Sequence, residues 1–155
     1  MTSEERDWRE HLVEEVDRVK GLLVSSKRVA VLGIKPEKKR DQPAFYVAEY
    51  LAAQGYDVIP VPVYFPEVTE ILGRPVYRRV ADVPGSIDIV DVFRRPQDIP
   101  PHVDDILAAR PKAVWFQLGI RHAAAAEQLA RAGIQVVQDR CMLADHQRML
   151  GRRPG

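Results

Sequence analysis

Five short apolar runs, separated by helical or turn-rich segments, constrain the fold of this 155-residue sequence more than any other feature. They are Arg28–Leu32, Asp57–Val61, Ile87–Phe93, Ala113–Phe116 and Gln135–Val137. Each run is apolar along its length rather than alternating, which is typical of strands buried on both faces of a parallel sheet. Strands that alternate with helices predict a doubly wound α/β domain, with a mostly parallel five-stranded sheet and helices on both faces.

Helical spacing and punctuation residues predict the segments between the strands. An amphipathic helix is expected within residues 1–25, packed on the domain of residues 26–150, with Thr2 and Glu5 as a possible capping box. The other predicted helices run from Pro43 to Gly55, around Val68–Leu72, over Val103–Ala109, over Ala123–Ala132, and after the fifth strand. Residues 151–155 form a basic tail that contains Arg152 and Arg153.

The composition narrows the class of protein. Lys plus Arg number 23 and Asp plus Glu 22, so no net charge draws the chain to nucleic acid or a membrane surface. A single cysteine excludes a disulfide framework and a cysteine-built zinc site. No apolar run approaches the ~20 residues of a membrane span, and the charged N-terminus is unlike a secretory signal. We therefore expect a cytoplasmic, single-domain protein.

The loop after the first predicted strand is the strongest candidate for ligand binding. In doubly wound sheets, ligands bind beyond the carboxyl ends of the strands. Residues 33–42 connect such an end to a helix N-terminus, where backbone amides attract anions. This loop contains Lys35, Lys38, Lys39 and Arg40, which favours a phosphate-bearing ligand over the alternative of a merely solvated charged loop.

The common phosphate-binding motifs are incomplete. A dinucleotide fingerprint needs three spaced glycines, whereas Gly33 stands alone until Gly55. An NAD site also needs an acid near the end of the second strand, and Val61 and Pro62 occupy that place. No Gly-Lys-Ser/Thr loop and no paired acids follow the first strand. These exclusions leave an anionic ligand whose adenine-sized group fits an apolar slot near residues 60–62.

Six stretches carry a resemblance to a known family. In chain order they are VAVLGIK (Val29–Lys35), PAFYVAEYLAAQGYDVIPV (Pro43–Val61), ILGRPVY (Ile71–Tyr77), DIVDVFRRP (Asp88–Pro96), VWFQLGI (Val114–Ile120) and VVQDRC (Val136–Cys141). The chain resembles the small stand-alone CoA-binding proteins, whose domain is similar to the N-terminal domain of the succinyl-CoA synthetase alpha subunit. The resemblance extends from about Val29 to His146.

This resemblance implies a Rossmann-like domain that binds coenzyme A or an acyl-CoA. The implied contacts are Gly33, Ile34 and Lys35 at the pyrophosphate; Lys39 and Arg40 at the phosphates; Val61 at the adenine; Phe93 and Arg94 beside the ligand; and Gln117, Gly119 and Ile120 on the pantetheine side.

Three positions depart from the family pattern. Lys35 stands where a small hydroxyl residue is common, Gln42 where Arg is frequent, and Pro62 where Asn is frequent. Lys35 can replace the lost hydroxyl with a charge-assisted contact, whereas Pro62 removes a backbone donor.

Five further residues have both a structural and a functional interpretation. Arg94 either closes a strand end or binds a phosphate with its guanidinium. If Asp91 is buried, it needs a partner such as Arg94 or a backbone amide. Gln117 either forms hydrogen bonds with the backbone of the loop or binds an amide of the ligand. His122 is a surface residue at a helix start or a catalytic histidine, and Cys141 is a packed side chain or a reactive thiol.

The sequence lacks an evident nucleophile–base set, which favours a CoA-binding protein without autonomous catalysis. Two alternatives remain. One is an acyl-CoA-handling or nicotinamide-dependent enzyme with His122 as its base. The other is a CoA-binding subunit that acts with a partner chain or as a homo-oligomer, docked through the N-terminal helix.

Overall fold

The computed structural model describes residues 7–151 and contains a five-stranded parallel sheet. In chain order the strands are β1 (Arg28–Leu32), β2 (Asp57–Val61), β3 (Glu70–Ile71), β4 (Arg74–Pro75), β5 (Ile89–Val92), β6 (Ala113–Phe116) and β7 (Gln135–Val137). The main sheet has the order β2-β1-β5-β6-β7, and β3 and β4 form a separate antiparallel hairpin. The predicted α/β, Rossmann-like class is confirmed.

Five α-helices cover this sheet within residues 7–151. They are α1 (Val16–Ser25), α2 (Pro43–Ala53), α3 (Val103–Ala109), α4 (Ala123–Arg131) and α5 (Met142–Met149). Pro43 occupies the first turn of α2, where its missing N–H costs no hydrogen bond. Among these residues no helix has both the length and the apolar composition needed to cross a bilayer.

The sheet separates two apolar layers, because successive side chains of a strand point to opposite faces. Val29 and Val31 of β1 face the layer that holds α1, α2 and α5. Ala30 and Leu32 of the same strand face the layer that holds α3 and α4. Both layers are buried, so the strands are apolar along their whole length.

The N-terminal segment crosses the edge of the sheet instead of forming one helix. A 3-10 turn over Trp8–His11 is followed by a parallel bridge from Leu12 to Val136. The Val13 amide donates to the Val136 carbonyl at 2.8 Å, and α1 begins only at Val16. The N-terminal helix expected within residues 1–25 is confirmed as α1, but an expected start as early as Trp8 is wrong, because the unpaired edge of β7 binds the backbone before Val16. The capping box of Thr2 and Glu5 and the tail beyond residue 151 lie outside the described residues.

The helix expected around Val68–Leu72 is also wrong. Strands β3 and β4 occupy this region, joined by the two-residue turn of Leu72 and Gly73. Both turn residues have positive φ, 53° and 72°, as a tight hairpin turn requires. The backbone then returns to the outer edge of β2, where the Tyr77 amide donates to the Pro60 carbonyl at 2.9 Å.

Candidate ligand-binding cleft

A cleft of about 300 Å³ opens where the strand order reverses. The chain passes outward from β1 to β2 and then returns to the other side of β1 to form β5. The loops after β1 and β5 diverge at this point, which is where open α/β sheets bind ligands. We call this the switch-point cleft; its lining residues are Gly33, Ile34, Lys35, Val63, Tyr64, Phe65, Phe93, Arg94 and Arg95.

Gly33 forms the floor of the switch-point cleft. Its amide donates to the Val61 carbonyl at 2.9 Å, and the Phe93 amide donates to the Leu32 carbonyl at 2.9 Å. The backbone of Gly33 has a φ of 88°, and a Cβ built there would overlap the Phe93 carbonyl oxygen. Glycine is therefore required both by conformation and by the close approach of the two loops.

Arg94 is a mostly buried cation with weak pairing. Its side chain is 14% exposed, and its Nη2 lies 3.9 Å from Asp98 Oδ2. Among the described residues its buried Nε has no hydrogen-bond partner. Asp98 is instead held by Arg95, whose Nε donates to the same oxygen at 2.8 Å. A buried guanidinium with unfilled donors favours an anionic ligand at this wall.

Lys35 also lines the switch-point cleft. Its amide donates to the Ala44 carbonyl at 3.1 Å, and its Nζ donates to Gln42 Oε1. The Gln42 partner is neutral, and among residues 7–151 no carboxylate forms an ion pair with Lys35. Lys35 and Arg94 thus bring two cationic side chains to one cleft.

Aromatic side chains form the third wall. Tyr64 is 60% exposed, and its ring centroid lies 5.3 Å from the Arg94 guanidinium carbon. The Phe65 ring lies 5.0 Å from Lys38 Nζ. The sequence predicted Val61 for this wall, but Val61 is fully buried in the core and the cleft is lined two residues further along the chain, from Val63. An aromatic pair just beyond a predicted strand end was the signal that could have identified these residues.

Of the eleven residues predicted to bind the ligand, five line the switch-point cleft. They are Gly33, Ile34, Lys35, Phe93 and Arg94. Lys39 and Arg40 lie outside the cleft lining, at a 3-10 turn where Arg40 Nε donates to the Glu37 carbonyl at 3.2 Å. Gly119 and Ile120 follow β6, and the Gly119 amide donates to Asp139 Oδ1 at 2.7 Å.

Gln117 faces the interior of the fold. Its Nε2 donates to Asp91 Oδ1, and its Oε1 accepts from the Met142 amide at 3.4 Å. The structure therefore does not bring the Gln117 side-chain amide to the switch-point cleft.

Asp91 is fully buried, and its partner is Gln117 rather than Arg94. Burial raises the pKa of Asp91 to about 7, although the Gln117 hydrogen bond acts in the opposite direction.

His122 and Cys141 have structural contacts. The Nδ1 atom of His122 accepts from the Ala125 amide at 3.0 Å and so caps the N-terminus of α4. The His122 amide donates to Gln138 Oε1 at 2.9 Å. Cys141 is partly buried against the apolar layer that holds α1 and α2. Within residues 7–151 no three His, Cys, Asp or Glu side chains cluster closely enough to hold a metal ion.

The fold and the cleft define a Rossmann-like domain with a cationic, aromatic cleft at its switch point. Residues 27–147 match the family model described as CoA binding domain, and the chain belongs to this family. YneT of Bacillus subtilis (strain 168), an uncharacterized protein, is 31% identical over 128 residues, which cover 83% of this chain and 91% of that protein.

Solved structures have the same fold. A protein from Thermus thermophilus is 37% identical with a TM-score of 0.81, covering 88% of this chain and 100% of that one. A hypothetical protein from Pyrococcus horikoshii OT3 is 34% identical with a TM-score of 0.79, covering 89% and 94%. The fold also recurs in the dinucleotide forming acetyl-coenzyme A synthetase 1 of Ca. Korarchaeum cryptofilum, at 19% identity and a TM-score of 0.60, over 79% of this chain and 26% of that one.

Proposed function

We propose that this chain binds coenzyme A or an acyl-CoA in the switch-point cleft. The observation that carries the proposal is the weakly paired guanidinium of Arg94, which faces Tyr64 at the carboxyl ends of β1 and β5. Membership of the CoA-binding domain family supports the same ligand. Coenzyme A combines phosphates with an adenine ring. The Arg94 guanidinium complements the phosphates, and the Tyr64 ring complements the adenine.

The proposed pose follows the chemistry of the lining. The pyrophosphate lies over the backbone of Gly33, which has no side chain, and of Ile34, whose side chain is buried; Lys35 and Arg94 line the same cleft. The adenine packs on Tyr64. A cleft of about 300 Å³ suits the nucleotide end, and the pantetheine arm extends across the β6 loop at Gly119 and Ile120. Lys39 and Arg40 act from outside the lining, as charges that attract the ligand.

The proposal assigns binding rather than a reaction. The side chains that line the cleft are cationic, aromatic or aliphatic, and such groups recognise a nucleotide without forming a bond to it. His122, the base of the alternative enzyme hypothesis, uses its Nδ1 to cap α4. The chain in this proposal holds coenzyme A, with any acyl transfer carried out elsewhere.

Titration calorimetry of the wild-type chain with CoA, acetyl-CoA, ATP and NAD tests the proposal. We expect saturable binding of CoA or acetyl-CoA that is at least tenfold tighter than binding of NAD, because the cleft meets the larger phosphate load of coenzyme A with two cations. No heat with either CoA compound, together with a micromolar isotherm for NAD, would contradict the proposal.

A further inference from the structure

Arg78 binds the loop that carries the aromatic wall of the switch-point cleft. Its guanidinium donates to four backbone carbonyls of this loop: Tyr64 at 3.1 Å, Phe65 at 3.0 Å, Pro66 at 3.4 Å and Val68 at 2.6 Å. Arg78 itself lies outside the cleft lining, after the β3–β4 hairpin. One exposed side chain thus fastens a whole loop through its backbone.

The loop that carries Tyr64 and Phe65 includes a backbone conformation that needs stabilising contacts. Phe65 has a φ of 63°, a left-handed conformation that a bulky residue adopts only where its surroundings enforce it. The carbonyls of Tyr64 and Phe65 flank the two backbone dihedrals of Phe65, and Arg78 binds both. The guanidinium therefore stabilises a conformation that the sequence of this loop does not favour.

The Tyr64 and Phe65 carbonyls that Arg78 binds belong to the two aromatic residues of this loop that line the cleft. Tyr64 precedes the left-handed residue and places its ring 5.3 Å from the guanidinium carbon of Arg94. Phe65 places its ring beneath Lys38 Nζ, at 5.0 Å. Without the hydrogen bonds from Arg78, the peptide groups that follow Tyr64 and Phe65 would no longer be held, and neither ring would be fixed at the cleft.

We propose that Arg78 is a positioning residue for coenzyme A, which acts by holding Tyr64 against Arg94 before the ligand arrives. The inference rests on the proposed function, because it names a residue that prepares the same site. A loop that is already ordered costs less free energy on binding than one that the ligand must order. Arg78 therefore contributes to affinity without touching the ligand.

The experiment compares CoA affinity for Arg78→Ala and for the matched control Arg79→Ala. Arg79 is the adjacent residue, its side chain is 64% exposed, and its Nε lies 3.7 Å from Asp105 rather than near the cleft loop. We expect Arg78→Ala to weaken CoA binding about tenfold and Arg79→Ala less than about twofold. Arg78→Lys keeps the charge but loses the guanidinium fork that reaches several carbonyls at once, so it should recover only part of the affinity lost in Arg78→Ala.

A double-mutant cycle with Tyr64→Ala separates positioning from general stability. If Arg78 acts through Tyr64, removing Arg78 costs little further affinity once the ring is gone, so the two losses are strongly non-additive. Far-UV circular dichroism of each variant confirms that the fold persists at the titration temperature.

The outcomes are distinguishable from failure of the proposed function. If the wild-type chain binds CoA and the Arg78→Ala variant binds it as tightly as the Arg79→Ala variant, the positioning role alone is overturned. Fully additive losses for Arg78→Ala and Tyr64→Ala overturn it as well, because the effect then does not pass through the ring. A wild-type chain that fails to bind either CoA compound overturns the proposed function and this inference together.

Discussion

The side-chain amide of Gln117 donates a hydrogen bond to the carboxyl group of Asp91 in the interior of the sheet. Both residues are buried; the hydrogen bond reaches Asp91 Oδ1, and Asp91 Oδ2 has no hydrogen-bond partner among the described residues. Burial disfavours the charged carboxylate and raises its pKa to about 7. The folded chain therefore retains a proton on Asp91 at pH values where an unfolded aspartate has lost it.

The Asp91 proton makes stability dependent on pH. An unfolded aspartate ionises near pH 3.9, so the folded state loses relative stability as the pH rises from there to about 7. The difference in pKa corresponds to about 4 kcal/mol. The Asp91→Asn variant cannot ionise at this position. We therefore expect the free energy of unfolding of this variant, measured relative to wild type, to rise by about 4 kcal/mol as the pH increases from 4 to 8. Urea unfolding at a series of pH values measures this; parallel profiles for the two proteins would contradict it.

Asp88→Asn provides a control, because the Asp88 carboxylate should change stability with pH in the direction opposite to Asp91. Burial acts against ionisation of Asp88, but the amides of Arg28 and Lys27 and the side chain of Lys112 outweigh it, so the Asp88 pKa lies below its usual value. The stabilisation by Asp88 is present above the unfolded pKa and is lost as the pH falls through the lower folded value. The wild-type and Asp88→Asn profiles should therefore converge in acid, whereas the Asp91→Asn profile diverges from wild type as the pH rises.

Gly33→Ala should destabilise the chain more than an ordinary glycine substitution. The new methyl group meets the Phe93 carbonyl in addition to the cost of positive φ. Gly55→Ala is the matched control, because Gly55 has a φ of 99° and no atom of the described residues lies within 4 Å of a Cβ placed there. Chemical denaturation should show that Gly33→Ala costs at least about 2 kcal/mol more than Gly55→Ala. Equal losses would mean that the two loops do not approach each other closely at the cleft floor.

Arg94→Met tests the cation that the proposal depends on most. Methionine keeps much of the side-chain volume but removes the donors, and a charge-assisted contact with phosphate corresponds to about 10- to 100-fold in affinity. Arg121→Met is the control, since Arg121 is exposed and its Nε lies 3.4 Å from Asp139, outside the cleft lining. Calorimetry should show a loss of CoA affinity for Arg94→Met alone. Equal affinities for the two variants would remove Arg94 from the site.

Lys39→Met and Arg40→Met should behave differently from Arg94→Met. Neither residue lines the switch-point cleft, so their charges act at longer range and through solvent. We expect each change to weaken CoA binding about twofold at low ionic strength, with the effect disappearing near 0.5 M salt, where the screening length is only a few ångströms. A loss that persists in high salt would instead indicate direct contact with a phosphate.

His122→Ala separates helix capping from catalysis. Removing the acceptor of the Ala125 amide should cost about 1 kcal/mol of stability, whereas His122→Asn retains a capping oxygen and should be close to wild type. CoA affinity should be unchanged in both variants. Turnover of an acyl-CoA by the wild-type chain that disappears in both variants would favour the enzyme hypothesis instead.

Much of the fold could be predicted because its signals are local. The buried parallel strands are continuous apolar runs, and Pro43 marks the start of α2. The break in the N-terminal helix could not be predicted in the same way. Leu12 and Val13 have helical spacing, but their backbone pairs with Val136, more than 100 positions away. Only the assembled sheet has the free edge that binds them.

The hairpin shows a different limit. Val68 and Leu72 stand four positions apart, which favours a helix, whereas the Leu72–Gly73 pair permits a two-residue turn with positive φ. The tertiary contacts of the hairpin decide between the two. One such contact is the hydrogen bond from the Leu72 amide to the Glu37 carboxylate at 2.8 Å.

The candidate site was predicted where it depends on strand ends and missed where it depends on loop conformation. Gly33 directly follows β1, and Arg94 lies two positions after the end of β5. Because β1 and β5 are neighbours in the sheet, topology alone brings the two residues together. Tyr64 lies three residues beyond β2, in a loop without regular structure, and Arg78 binds its carbonyl from outside that loop. No local sequence pattern specifies such a contact.

An amide-resolved NMR titration of the wild-type chain with CoA tests the central claim most directly, because it reports both binding and its place. We expect saturable shifts in the amides of residues 33–35, 64–65 and 93–95, with the distant groove around Tyr50 and His146 unchanged. Shifts confined to that groove, or no shifts at millimolar CoA, would contradict the account.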